Sequence, residues 1–225
     1  MRKTWFISGI DTECGKTIVT GLLARQLKKQ GTKVITQKMV QTGCVGLSDD
    51  LLQHRKMMGI GLQEVDRQDL TCPYLFSFPA SPHLAARLEN QTIDLEKIAS
   101  ATRELEKRYE ITLLEGAGGL LVPINDGWLT IDYIKATNYP LILVSSSKLG
   151  SINHTLMSLE VCRQWKIDIK AVVYNHLPDE NVLVAVESVK VFKKYLAEHW
   201  PCTKMLECPV IEGEAYPELE TDWMV

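Results

Sequence analysis

No stretch of this 225-residue sequence is long and apolar enough to span a bilayer. Its first residues head straight toward a strand, without the basic-then-apolar layout of a secretory leader. Basic residues give it no field for nucleic acid or an anionic membrane, because 25 Lys and Arg stand against 28 Asp and Glu for a net charge of −3. Six cysteines (14, 44, 72, 162, 202 and 208) form no C-x-x-C and have no histidine at metal-ligand spacing, so reduced thiols are expected. Internal repeats, low-complexity tracts and linkers are also missing. The expectation is a soluble, cytoplasmic protein with one domain over residues 1–225 and neither nucleic-acid nor membrane partners.

What is present is apolar content of 45%, enough for a sizeable core. Continuous apolar runs at 5–8, 34–39, 111–115, 141–145, 169–175 and 204–206 suit strands buried on both faces. Helix-like segments at 18–30, 49–58, 95–107, 152–165 and 182–199 separate them. Such alternation predicts an α/β fold in three layers, a mainly parallel sheet with helices on both faces, and ligands at the strands' carboxyl ends. Residues 59–82, with Pro73, Pro79 and Pro82, read as irregular, and the acidic end from Glu212 to Val225 as loosely held.

The most specific segment is Gly9-Ile10-Asp11-Thr12-Glu13-Cys14-Gly15-Lys16-Thr17, between the run Trp5-Phe6-Ile7 and the helix-like Ile18 to Ala24. A strand, a glycine-bounded loop and a helix starting at Gly-Lys-Thr make a phosphate-binding loop. Backbone N–H groups line it, Lys16 reaches the outer phosphates and the Thr17 hydroxyl faces Mg²⁺. The common spacing wants glycine where Ile10 stands, so this loop is one residue longer. Cys14 reads either as a small space-filler or as a reactive thiol.

Other segments carry two readings each. Glu115 ends an apolar strand before Gly116-Ala117-Gly118-Gly119, and is either a Mg²⁺ ligand or a surface residue before a tight turn. Lys38 is either a solvated strand-end charge or a second cation for a transferring phosphoryl group. In Ser48-Asp49-Asp50 either acid caps a helix, and Asp49 is the candidate for Mg²⁺. Ser145 to His154 leads into a helix whose N–H groups suit a carboxylate, or which Ser151 simply caps. Asn175 suits a base or a turn, and His83, His154 and His176 read as polar contacts.

Gly9–Thr17, Lys38–Gly43, Ser81-Pro82-His83, Glu115-Gly116-Ala117-Gly118-Gly119, Lys148–His154 and Asn175 together resemble the dethiobiotin synthetases, in that family's order and over most of the chain. The resemblance implies a homodimeric P-loop ligase using ATP and Mg²⁺ on 7,8-diaminononanoate and CO₂. One amine becomes a carbamate, ATP phosphorylates it to a mixed anhydride, and the second amine closes the ring. Carried over by position, Lys38, Lys16 and Thr12 are catalytic, and Thr17, Asp49 and Glu115 surround Mg²⁺. Residues Glu13, Cys14, Gly15, Lys16, Thr17 and Ile18 cradle the phosphates, beside Gly116, Ala117 and Gly118. Asn175, His176, Pro209, Val210 and Ile211 line the adenine pocket. Thr42 lies by the diamine, and a partner subunit's Gly150, Ser151, Ile152 and Asn153 receive its carboxylate. Met39 stands where the family commonly has proline, His176 where it has aspartate, and the short loop leaves Asp49 against Asp50 open. An amide-forming ligase of the same superfamily and a nucleotide-driven switch are the rival readings, and phosphate release that depends on the diamine separates enzyme from switch.

Overall fold

In the computed structural model, which describes residues 3–178, 181–211, 213 and 215–224, each of the six apolar runs is a strand. In chain order the elements are β1 (Thr4–Gly9), α1 (Lys16–Lys29), β2 (Val34–Lys38), β3 (Gln41–Thr42), α2 (Asp49–Met58), α3 (Glu64–Arg67), β4 (Leu75–Phe76), α4 (Pro82–Leu88) and α5 (Leu95–Arg108). They continue as β5 (Ile111–Gly119), β6 (Pro123–Asn125), β7 (Trp128–Leu129), α6 (Thr130–Thr137), β8 (Leu141–Ser146), α7 (Ser151–Trp165), β9 (Ile169–Asn175), α8 (Val182–His199) and β10 (Lys204–Cys208). Six strands form one parallel sheet in the order β10-β9-β8-β1-β5-β2.

Strand parity sorts the core into two layers. Trp5, Ile7, Leu113, Ile142, Val144 and Val173 pack under α1 on one face. Phe6, Leu114, Leu143 and Val172, one residue out of phase, join residues of α4 to α8 on the other. Both faces are buried, which is why the strands read as unbroken apolar runs. Among the described residues no helix is long and apolar enough to cross a membrane.

Two segments are more ordered than the sequence suggests. Within 59–82, Gly59 ends α2 in the left-handed region at φ 62°, Asp66 anchors the single turn α3, and Pro82 occupies the first turn of α4. Gln41 and Thr42 of β3 pair in parallel with Leu75 and Phe76 of β4. The acidic C-terminal segment is packed, not loose. Leu219, Thr221 and Met224 are buried, Trp223 meets Trp5 edge-on at 5.3 Å between ring centroids, and Thr221 donates to Gln30 at 2.8 Å. Apart from one 3-10 turn at Asp222–Met224 it forms no regular element among its described residues, so packing and hydrogen bonds to the rest of the fold hold it. Glu212, Glu214 and Val225 lie outside the described residues.

Leu219→Ala is expected to lower the unfolding free energy by about 2–3 kcal/mol, as an ordinary buried leucine would. A urea melt that does not move would return the segment to the loose state expected from sequence.

Candidate active site at the carboxyl ends of three strands

The loop between β1 and α1 wraps back on itself. Gly15 has φ 98°, and a Cβ there would lie 2.1 Å from Asn175 Nδ2, so only glycine allows the helix start to approach β9. Glu13, a non-glycine residue, is also left-handed at φ 54°. The space left by the absent Cβ of Gly9 is taken by Cys14 Sγ, which would sit 2.3 Å from such an atom. Cys14 is therefore a buried space-filler. Lys16 folds over the loop and donates to the Asp11 carbonyl at 2.8 Å. Thr12 is exposed on the crest, where its amide donates to Asp11 Oδ1 at 2.7 Å.

Register brings the next groups together. Lys38 on β2 is the direct neighbour of Glu115 on β5, and Lys38 Nζ donates to Glu115 Oε1 at 2.7 Å and to the Gly116 carbonyl at 3.1 Å. Its third partner is Asp50 Oδ2 at 2.6 Å. The Thr17 hydroxyl donates to Asp50 Oδ1 at 2.9 Å and lies 3.4 Å from Glu115 Oε1. Lys38 and Glu115 are both buried. Burial pulls the lysine pKa down, but the charges of Glu115 and Asp50 outweigh it and hold Lys38 above the usual lysine range. Burial pushes Glu115 up, and the Lys38 ammonium, with His54 beside it, holds it well below the usual carboxylate range. Lys38 is thus a fixed cation with no free pair to act as a base.

The acid beside Thr17 is Asp50, whereas Asp49 is exposed at the first position of α2, close to Cys44. Ser48 caps the helix through the Leu51 amide, which fixes the rotation that turns Asp50 inward. Met39, standing where the resembled family commonly has proline, ties the lysine's strand end through its own amide. Its amide donates to the Glu115 carbonyl at 2.9 Å, a bond proline cannot make, and the Lys38 amide donates to Thr71 at 2.7 Å.

A cavity of about 460 Å³ opens over this cluster and is lined by Lys16, Thr17, Lys38, Asp50, Glu115 and Asn175. Thr12, Glu13, Gly15, Ile18, Thr42, Ala117 and Gly118 also border it, the last at φ 69°. Gly116 lies beneath, where a Cβ would press on the Phe6 ring at 3.0 Å. Asn175 Nδ2 donates to the Cys14 carbonyl at 3.3 Å. His176 faces the other side of the sheet, edge-on to Tyr174 at 5.0 Å and 3.4 Å from Glu207. Strand alternation separates it from Asn175, and it does not line this cavity. Pro209, Val210 and Ile211 follow β10, held near His176 by its amide bond to Cys208, and they too lie outside the lining. Gly150 to Asn153, at the start of α7, are likewise outside it. Their neighbour His154 borders a second cavity of about 420 Å³ with Asp11, Leu121 and Met157.

Sequence reasoning left Asp50 as the open alternative to Asp49 and missed His54, Arg55 and Asp66. His54 Nε2 sits 3.1 Å from Glu115 Oε2, and Arg55 forms a buried fork with Asp66 at 2.6 and 2.9 Å. The available signal was the Asp50-to-His54 spacing of one helical turn, which puts both on one face of α2.

The donor set fits Mg²⁺. Two carboxylates and a hydroxyl are hard oxygen ligands beside a phosphate loop, and this ion takes one or two carboxylates and leaves its other positions to water and phosphate. Among the described residues no group of three or more His, Cys, Asp or Glu side chains forms a complete metal cage, so an ion here would depend on the phosphates and water for its other ligands.

A family model described as an AAA domain matches residues 3–198. The ATP-dependent dethiobiotin synthetase of Haemophilus ducreyi is 52% identical over 206 residues, covering 92% of this chain and 98% of the relative. That of Pasteurella multocida is 51% identical over 203 residues, covering 90% and 95%. Among solved structures, a ParA family ATPase from Chlorobium tepidum superposes with a TM-score of 0.55 at 14% identity, over 94% of this chain and 86% of that one. At that identity the likeness shows a shared P-loop NTPase fold alone.

The charged cluster sets a pH window. Glu115, depressed in the folded state, contributes stability above its unfolded value of about 4.3 that is lost on acidification. Lys38, raised, contributes stability below about 10.4 that is lost as pH rises further. Glu115→Gln is expected to cost about 3 kcal/mol near neutral pH, because Asp50 remains as a partner, and to flatten the acid limb. Urea melts across the acid range check this, and equal acid sensitivity in both proteins would refute it.

Proposed function

Because this chain belongs to the ATP-dependent dethiobiotin synthetase family, we propose that it is the ligase that closes 7,8-diaminononanoate and CO₂ into dethiobiotin at the expense of ATP. The observation that carries the reading is the Lys38 ammonium, fixed between Glu115 and Asp50 beside the phosphate loop. A carbamate and the mixed anhydride made from it are anionic and short-lived, so the enzyme's task is to hold and neutralise them. Lys38 supports this as a permanent cation, and Lys16 would turn from the Asp11 carbonyl to the outer phosphates. The amides of residues 13–18 cradle the phosphates at the N-terminus of α1. Thr17, Asp50 and Glu115 would hold Mg²⁺, which when bound neutralises charge on the phosphate oxygens.

Thr12 and Thr42 border the cavity where the diamine would lie, beside Ala117 and Gly118. Asn175 is the one expected base contact that lines it, and Pro209 to Ile211 would extend the adenine side from the end of β10. The carboxylate end of the substrate falls to Gly150 to Asn153 of a second copy. This is supported by their position outside the cavity of their own chain and by Leu149, 88% exposed, and Met157, 59% exposed, nearby. The reading is of a cytoplasmic homodimer in which residues 1–225 act as one ligase domain.

Phosphate release from ATP with Mg²⁺ and bicarbonate should depend on the diamine and match dethiobiotin identified by mass. Slow release indifferent to the diamine would favour the switch instead. Lys38→Gln should cut the rate by about 10²–10³-fold, the usual loss for a positioned electrostatic group. Asp50→Asn should raise the Mg²⁺ requirement and slow turnover, while Asp49→Asn stays within about twofold of the parent, as exposed substitutions do. The reverse ranking of the two aspartates would return the Mg²⁺ role to Asp49.

A further inference from the structure

His54 is fully buried on α2, away from the cavity lining, and no step above uses it. Its ring is tied into a line of buried groups whose hydrogen-bond direction can be worked out. Asp66 accepts from Arg55 Nε at 2.9 Å and Nη2 at 2.6 Å, from the Thr71 hydroxyl at 2.6 Å and from the Gln63 amide at 2.7 Å. Arg55 Nη1 donates to Thr36 Oγ1 at 2.7 Å, and Nη2 to the Thr36 carbonyl at 3.3 Å. A guanidinium can only donate, so the Thr36 hydroxyl accepts there and keeps its own proton to give. Among the described residues its other partner is His54 Nδ1 at 3.0 Å. A hydroxyl proton directed at Nδ1 gives each group of this line a donor for its acceptor, and the ring's own proton then belongs on Nε2.

Nε2 lies 3.1 Å from Glu115 Oε2. Both atoms are buried, and among the described residues neither makes a hydrogen bond of ordinary geometry, to the other or to any third group, so this close approach is the one polar contact open to each. In the opposite tautomer two lone pairs would face each other at that distance, in a site where an unmade bond is costly. Glu115 is then divided, with Oε1 facing Lys38 and Thr17 and Oε2 facing His54.

We propose that His54, with its proton on Nε2 and its ring set by Thr36, Arg55 and Asp66, is the positioning residue that keeps Glu115 Oε1 turned toward Thr17 and the Mg²⁺ site. The inference rests on the Mg²⁺ role given to Glu115 above. A metal-binding carboxylate is oriented by its outer partner, whose loss commonly costs 10–100-fold in metal affinity or activity.

Long-range ¹⁵N–¹H spectra of the histidines in the native protein test the tautomer without turnover. His54 is assigned by the signal missing in His54→Gln. A ring protonated at Nε2 alone is expected, and a proton on Nδ1 overturns the proposal. The second readout is Mg²⁺ half-saturation of binding to a non-hydrolysable ATP analogue by calorimetry. His54→Leu, with no donor, should raise it about 10-fold or more, and His54→Gln, which keeps a donor at the distal position, should hold it within about 3-fold. Unchanged half-saturation in a folded His54→Leu protein also overturns it, and if that variant does not fold, the spectra decide. Neither measurement uses the diamine, so a failed synthesis assay and a failed His54 proposal cannot be confused.

Discussion

Lys38 and Glu115 place a cation and a carboxylate where water reaches poorly, with the half-buried Asp50 beside them, and a buried charge is tolerated only when paired and hydrogen-bonded. Much of the neighbouring structure supplies that pairing. Parallel register sets Lys38 against Glu115. The third charge arrives on α2, whose position depends on its contact with α1. A Cβ on Gly21 would lie 2.4 Å from Met57 Sδ, so the bare backbone there is what lets the helices close enough for Asp50 to reach Thr17. The glycine, the cap at Ser48 and the strand register are three separate sequence features that converge on one charge balance.

The sheet divides the work of the molecule. The α1 face carries the phosphate loop, Lys38, Glu115 and Asn175, while the opposite face is occupied by α4 to α8 packed on an apolar layer. Adjacent residues at a strand end therefore serve different environments, as Asn175 and His176 do.

The strand-and-helix order was legible because both faces of each strand are buried and so leave continuous apolar runs. The loop Gly9–Thr17 and the carboxylate Glu115 were legible because their chemistry is local, although β5 runs on through Gly116 to Gly119, where the sequence reads as a turn. What escaped depends on distance and rotation. Asp49 and Asp50 are indistinguishable as letters, and only the cap at Ser48 decides which of them turns inward. His54 carries no local signal beyond its spacing from Asp50, since Thr36 and Glu115 come from strands 18 and 61 residues away in sequence. The C-terminal segment has no period because it forms no long element, and Leu219 and Met224 find their places only on an assembled core.

Glu13 adopts the left-handed conformation at φ 54° without the freedom of a glycine, which costs a residue of its kind roughly 1–2 kcal/mol. That cost falls on the folding equilibrium, where a large core offsets it, and is absent from the association step. A loop shaped in this way meets its anion with little left to order, so its affinity is governed by electrostatic match more than by lost motion, and its capture of nucleotide resembles docking onto a rigid mould.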